Sequence, residues 1–271
     1  MAIWFEGELQ ANGLHIHYNR TGGEKPSLVL LHGVTDNGLC WTPVAQELEA
    51  DYDVIMLDAR GHGRSSRAES GFSQELLAAD VVACIQALHL GQTRLLGHSM
   101  GAATAALVAA QHPELVQALL LEDPPWRSEP SRIDTPILAP EDNPRLAWLR
   151  TLRAKSYEER IMQGRHDNPA WPEAELPPWA ASKEQVDMAV FKHARLELPD
   201  WRELVGQISS PTLLLIGDTE RGAIVSRETA QQATQILHAG QFIQIHGAGH
   251  NIRREQHAAY MVAITTFLRT P

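Results

Sequence analysis

The stretch Leu95-Leu96-Gly97-His98-Ser99-Met100-Gly101 decides how the rest of the chain is read. Thr93 to Leu96 is a short apolar run suited to the end of a buried strand, and Ala102 to Gln111 is a run of small, helix-favouring side chains. One hydroxyl therefore stands between two glycines at a strand-to-helix junction. A serine on so sharp a turn needs neighbours without bulk, which Gly97 and Gly101 supply, so its hydroxyl can stand clear of the sheet. This is the pattern of a nucleophile elbow. Taken alone, G-x-S-x-G also describes an ordinary glycine-rich turn, so the flanking chain has to separate the two.

Working outward, strand and helix patterns alternate on both sides. Ser27 to Leu31 and Tyr52 to Leu57 are unbroken apolar runs, as expected of strands covered on both faces. The first leads into His32-Gly33-Val34-Thr35 and the second into the loop Asp58 to Ser65. A helix is expected over roughly residues 41–50, and another over 72–90, where Leu76, Leu77, Val81, Ile85 and Leu88 recur at helical spacing. Nearer the start, Glu8 to Ala11 and Leu14 to Tyr18 flank Asn12-Gly13, the signature of a β-hairpin. On the far side of the elbow, Pro113 stops the helix and Val116 to Leu121 forms a further buried strand closing on Glu122-Asp123-Pro124-Pro125.

The composition then changes. Eleven of the sixteen prolines and four of the seven tryptophans (Trp126, Trp148, Trp171 and Trp179) lie between Pro124 and Pro199, with Trp201 just beyond. Helical periodicity appears over Leu146 to Met162 and Lys183 to Leu196 and is otherwise interrupted, so residues 124–207 read as an inserted helical cap. Regular alternation resumes with Thr212 to Ile216, a helix near 226–237, a strand at 241–245, the loop Gly247-Ala248-Gly249-His250 and a terminal helix through Leu268. The core then comprises residues 1–123 and 208–271. Such alternation implies an α/β protein with a mainly parallel sheet, helices on both faces and an antiparallel N-terminal edge. His32, Asp58, Ser99, Asp123, Gly217 and His250 each follow an expected strand, so they should share the rim where such sheets bind ligands.

Composition narrows the function classes. The 271 residues are 44% hydrophobic, enough for a sizeable core, and the formal net charge of −10 argues against nucleic acid or an anionic membrane as partner. The N-terminus shows no basic leader followed by an apolar segment, and no run approaches the ~18 apolar residues of a membrane span. A soluble, cytoplasmic protein is expected. Cys40 and Cys84 are isolated, and the thirteen histidines include no H-E-x-x-H motif, so neither a disulfide framework, a zinc site nor any other metal is suggested. No cofactor is expected.

Together these motifs resemble the α/β-hydrolase family over almost the full chain: His32-Gly33, the Asp58 to Ser65 loop, the Gly97 to Gly101 elbow, the insertion after the sixth strand, and the late Gly247-Ala248-Gly249-His250. The resemblance implies an eight-stranded, mainly parallel sheet with an inserted helical cap, and Ser99 as nucleophile. A serine hydroxyl needs a base and a group that fixes the base's tautomer; the resemblance makes His250 the base. His32, His62 and His98 are read as structural, with His98 pointing away inside the elbow. The orienting acid has two candidates. Most of the family places it after the seventh strand, where Glu220 stands, but the register of Gly217 to Val225 is ambiguous there. A subset with haloalkane dehalogenases and lactonases places it directly after the sixth strand, where Asp123 lies 24 residues past Ser99. Asp123 is favoured over Glu220, with Pro124-Pro125 expected to hold its backbone extended and Glu122 pointing elsewhere. Backbone N–H groups of Val34 and Met100 are the expected oxyanion donors, Thr35 offering a hydroxyl at most.

A serine in the elbow argues against the aspartate-based dehalogenase and epoxide hydrolase chemistries of this fold. The resemblance therefore implies hydrolysis of small, largely apolar carboxylic esters or lactones, N-acyl homoserine lactones among them, by a monomer or homodimer. Carbon–carbon hydrolysis, perhydrolysis, and a slow-turnover small-molecule receptor are alternatives that would keep the same residues.

Overall fold

The computed structural model describes residues 4–127, 143–191 and 200–269. The chain opens with the expected hairpin. Strands β1 (Phe5–Ala11) and β2 (Leu14–Arg20) pair antiparallel, and Asn12 and Gly13 both take positive φ (51° and 77°), which gives the turn a twist that matches the strands. Next come β3 (Ser27–Leu31), α1 (Thr42–Leu48), β4 (Asp53–Leu57), α2 (Gln74–Ala87), β5 (Thr93–His98), α3 (Met100–Gln111) and β6 (Val116–Glu122). After the insertion the chain continues through β7 (Thr212–Ile216), α8 (Arg227–Ile236), β8 (Gly240–Gln244), α9 (Ile252–Glu255) and α10 (His257–Leu268). Among the described residues the strands form one eight-stranded sheet in the order β1-β2-β4-β3-β5-β6-β7-β8. β1, β2 and β4 meet antiparallel and the remaining pairs are parallel.

The sheet is buried on both faces, and the alternation of side chains along each strand divides the core into two layers. Val29, Leu31, Ile55, Leu57, Leu95, Leu119, Leu121 and Leu214 pack with α2, α3 and α8 on one face. Leu28, Leu30, Val54, Met56, Leu96, Leu120, Leu213 and Leu215 pack with α1 and α10 on the other. Hence the central strands read as continuous apolar runs rather than alternating ones.

Between β6 and β7 lie α4 (Pro144–Arg153), α5 (Tyr157–Asp167), α6 (Leu176–Gln185) and α7 (Trp201–Val205), with a 3-10 turn at Met188–Phe191. Two sequence expectations change here. The single helix over 146–162 is two helices, because Ser156 starts a new one: its Oγ accepts from the Glu159 N–H (3.2 Å) while the Glu159 carboxylate accepts from the Ser156 N–H (2.7 Å). This capping box overrides an apolar periodicity that runs straight through. The helix expected over 183–196 instead begins at Leu176, since Pro177 and Pro178 occupy its first turn, where a missing N–H costs nothing. It ends at Gln185, and residues 192–196 lie outside the described residues, as do Pro130, Pro136, Pro140 and Pro199. Trp126 stacks on Trp201 (5.7 Å between centroids) inside the sheet-side core, whereas Trp171 meets Trp179 edge-on within the insertion.

One contact governs the site's placement. A Cβ added at Gly101 would overlap the carbonyl oxygens of Leu31 and His32, and one at Gly97 would overlap the Gly101 backbone. α3 therefore lies backbone to backbone against β3 and β5, helped by a helix built largely from alanine. Replacing Gly101 with Ala should force the helix away from the sheet; we expect a loss of roughly 1–3 kcal/mol or more, read as a lower midpoint in urea unfolding, from overpacking of this kind.

Candidate active site

Ser99 occupies the step between β5 and α3 with φ 53° and ψ −113°, a conformation that ordinary side chains avoid. Its N–H donates to the Glu122 carbonyl (2.9 Å), continuing the β5–β6 ladder, and its carbonyl accepts from the Ala103 N–H (3.0 Å) in the first turn of α3. With both backbone groups committed, the Oγ is left on the rim. There the Ser99 hydroxyl lies 3.0 Å from His250 Nε2, and His250 Nδ1–H donates to Asp123 Oδ2 at 2.6 Å. The structure thus brings together Ser99, His250 and Asp123, in one chain of hydrogen bonds.

Asp123 is fully buried, directly past β6. Its carboxylate also accepts from the N–H groups of Ile224 (2.9 Å) and Val225 (2.9 Å). Those residues belong to the loop after β7, the place where the alternative acid was sought. That loop supplies donors to Asp123, and Glu220 stands exposed on a 3-10 turn at Thr219–Arg221. One expectation fails: Asp123 is not extended but has φ 43°. An extended residue would continue the strand, so the left-handed turn, which Asp tolerates better than most residues, accompanies the carboxylate's reach to both His250 and the 224–225 amides.

The loop bearing His250 is held from below. Asp218 accepts from the Gly247 N–H (2.7 Å) and its own N–H donates to the Ala248 carbonyl (2.7 Å). A Cβ on Gly217 or Gly249 would strike backbone of the facing loop, which explains why glycines cluster there. The two expected oxyanion donors lie near the elbow. Met100 opens α3, so its N–H has no acceptor within its own helix, and the helix dipole favours negative charge there. Val34 lies in the turn Gly33-Val34-Thr35-Asp36, closed by the Asp36 N–H to the Gly33 carbonyl (3.1 Å). Thr35 Oγ1 accepts from Lys183 Nζ (3.2 Å), which commits the hydroxyl to the insertion.

Residues 26–154 match the family model described as alpha/beta hydrolase fold. Among solved structures, the N-formylmaleamic acid deformylase of Pseudomonas putida superposes with TM-score 0.82 at 23% identity, covering 96% of this chain and 100% of that one. The enol-lactonase of Burkholderia xenovorans gives 0.76 at 21% identity over 97% and 99% of the two chains. The chain has the α/β-hydrolase fold. In sequence it is 42% identical over 120 residues to the N-formylmaleamate deformylase of Pseudomonas putida, 44% of this chain and 45% of that protein. The matched stretch spans less than half the length of the curated relatives.

The fold carries further buried polar groups around the site. His32 donates from Nδ1 to the Gly33 carbonyl (2.9 Å) and accepts the Ala59 N–H at Nε2 (3.0 Å), a neutral tautomer that ties two rim loops together. His62 donates to the Arg60 carbonyl (2.9 Å). Asp58 accepts from the N–H groups of Gly38 (2.7 Å) and Arg64 (2.9 Å) and from His17 (2.8 Å), so the 58–65 loop is architectural. His98 does not simply point away. Its ring lies 4.8 Å from that of His250, and its Nε2–H donates to the His250 carbonyl (2.9 Å), so it supports the His250 backbone. Among the described residues no group of three His, Cys, Asp or Glu is arranged to hold a metal. No helix there is long and apolar enough to cross a membrane.

Residues that sequence reading passed over form a buried ionic cluster beneath the rim. Asp36 accepts from Lys183 (3.1 Å), Arg253 (3.3 Å) and Arg254 (3.0 Å). Arg253 continues to Glu122 (3.2 Å), next to Asp123, and Arg254 to Glu175 (2.9 Å) in the insertion. Burial alone would push the Asp36 carboxyl up, but Arg254, Lys183 and Arg253 together hold it well below its usual range. The pair Arg253-Arg254 directly after the His250 loop was the one available signal, and nothing in its pattern distinguishes a buried pair from a solvated one.

Burial drives the three structural histidines toward the neutral form: His32 is lowered, His62 is pushed down to about 3, and His98, further opposed by Arg253 and His250, is held well below its ordinary value. Such groups are neutral when folded but take up protons once unfolded, so they contribute stability above pH 6.5 that is lost as pH falls from there toward the folded values. His62, pushed down to about 3, should alone remove about 1.4 kcal/mol per pH unit below about 6. Urea unfolding midpoints should accordingly drop steeply between pH 6 and 4, and His62→Gln should make that slope shallower.

Proposed function

We propose that this chain is a serine hydrolase that cleaves carboxylic ester or lactone bonds of small, largely apolar substrates through an acyl-enzyme. The observation that carries the proposal is the unbroken hydrogen-bond chain from Ser99 Oγ through His250 to Asp123. In this mechanism His250 Nε2 takes the Ser99 proton as Oγ adds to the substrate carbonyl carbon. Asp123 keeps the Nδ1 proton on the imidazole and offsets the charge that forms there. The N–H groups of Val34 and Met100 receive the oxyanion. Collapse expels the alkoxide, which leaves with the proton from His250, and a water activated by the same imidazole then releases the acid and restores Ser99.

Residues 124–207 would act as the cap. The side chains of Val34 and Met100 pack with Leu146, Leu149, Val190 and Phe191, which supports an apolar acyl or alcohol group over the elbow. A second reading, hydrolysis of an activated N-acyl bond, is favoured by the similarity to a relative named N-formylmaleamate deformylase. It uses the same steps with an amine leaving group.

Initial rates on p-nitrophenyl butyrate, an acyl lactone and an N-formyl amide, with Ser99→Ala as the blank, test the proposal. Many turnovers per second that vanish in Ser99→Ala support it, whereas a single slow turnover would indicate a receptor. On the preferred substrate Asp123→Asn should lower kcat roughly 10³- to 10⁴-fold, while Glu220→Gln stays near wild type; the reverse ranking would move the acid to Glu220. Proline suits the second position of the 33–36 turn and removes one donor, so Val34→Pro should lower kcat roughly 10²- to 10³-fold with the fold retained.

A further inference from the structure

The turn that offers the Val34 N–H is held in a strained form. Thr35, its third residue, has φ 75°, the left-handed value that a type II turn demands at this point and that glycine normally supplies. A β-branched residue there is unfavourable, so something outside the turn must hold it. That something is Lys183. Its ammonium donates to the Thr35 carbonyl (2.8 Å), to Thr35 Oγ1 (3.2 Å) and to Asp36 Oδ1 (3.1 Å), reaching across from α6 in the insertion. The side chain is only 1% exposed, and the ammonium lies 5.1 Å from the centre of the Trp179 ring. Across the rim its contacts are thus to the two residues that follow Val34, with Ser182 Oγ (3.2 Å) beside it on α6, and it is committed too fully to serve as a substrate ligand.

We propose that Lys183 is a positioning residue that holds the oxyanion turn in its strained conformation and so makes the Val34 donor depend on the seating of α6. The proposal rests on the acyl-transfer role of Ser99. The same cluster gives the dependence a second branch. Asp36 passes from Lys183 to Arg253 and Arg254, which follow the His250 loop, and Arg254 returns to Glu175 just ahead of α6. Without Lys183 the Thr35 carbonyl loses its buried donor and the turn is free to relax toward a form that suits threonine. A shift of about 1 Å in a group that meets the transition state costs on the order of 100-fold in rate.

The test uses Lys183→Met, Lys183→Arg and the double variant Lys183→Met/Thr35→Gly in the full chain, with p-nitrophenyl butyrate as substrate. Butylboronic acid, whose serine adduct places an oxygen in the oxyanion hole, and butyrate, which does not form that adduct, serve as inhibitors. In Lys183→Met, kcat should fall about 10- to 100-fold with KM within about threefold. Boronate affinity should fall in the same proportion while butyrate affinity holds. Thr35→Gly in that background should recover at least part of the kcat, because glycine adopts the turn without strain, and Lys183→Arg should fall between the two. Wild-type kcat and boronate affinity in a cooperatively folding Lys183→Met would overturn the proposal. So would parallel loss of kcat, butyrate affinity and cooperative melting with no recovery from Thr35→Gly, which would make Lys183 a structural anchor alone. Undiminished turnover in Ser99→Ala would instead remove the acyl-transfer role, and this proposal with it.

Discussion

The closeness of α3 to the sheet is the constraint on which the rim of this protein depends. Gly101 lets the helix backbone rest on the Leu31 carbonyl, and Gly97 lets the strand turn beneath it. Only then can Ser99 complete the ladder to Glu122 with its N–H and begin the helix with its carbonyl while its own backbone sits at φ 53°. Strain of this sort persists because neighbouring packing over-determines it. Here the packing is a helix whose residues Met100 to Ala109 are all buried. The hydroxyl's position is therefore set by the tertiary fold rather than by a flexible loop, and the apolar core below acts directly on the geometry above.

The carboxylate is located by the same logic. β5 and β6 run parallel and in register, with His98 opposite Glu122, so the residues that follow, Ser99 and Asp123, leave neighbouring strands at the same level. Glu122 and Asp123 then take opposite directions. Glu122 turns under the rim to Arg253, and Asp123, with φ 43°, turns to His250 and the 224–225 amides. The short 3-10 turn after β7 carries Glu220 outward and brings two N–H groups inward. A buried carboxylate with backbone donors on it is held in place more firmly than one that relies on a single partner. The β7 loop thus donates to Asp123 while its own Glu220 stays exposed.

Much of this was legible from the chain. Unbroken apolar runs marked strands buried on both faces, the Asn12-Gly13 pair marked the hairpin, and two glycines around Ser99 marked the elbow, because each feature reflects a local steric or burial demand. What was not legible depends on contacts distant in sequence. Lys183 reaches Thr35 across 148 residues and Arg253 reaches Asp36 across 217, and no local pattern separates these charges from solvated ones. The capping box at Ser156 was visible in principle, since serine precedes glutamate by three, but an apolar period running through it gave the opposite signal.

The buried ions are costly, and their arrangement shows what that cost secures. Lys183, Arg253 and Arg254 face Asp36, Glu122 and Glu175, three cations against three anions, so the cluster is neutral as a whole. A neutral buried cluster contributes little net stability compared with apolar packing, but removing any one member strands its partners and costs roughly 3–5 kcal/mol. Such a cluster is therefore intolerant of displacement. Its members come from the 33–36 turn, the end of β6, the segment after His250 and the insertion, which are the separate pieces that must meet around Ser99. Apolar contacts alone would allow these pieces to slide with small loss, since dispersion and burial are not directional. Paired charges with fixed donors and acceptors do not permit that sliding, which is how a site assembled from distant loops can hold hydrogen-bond distances of 2.6 and 3.0 Å.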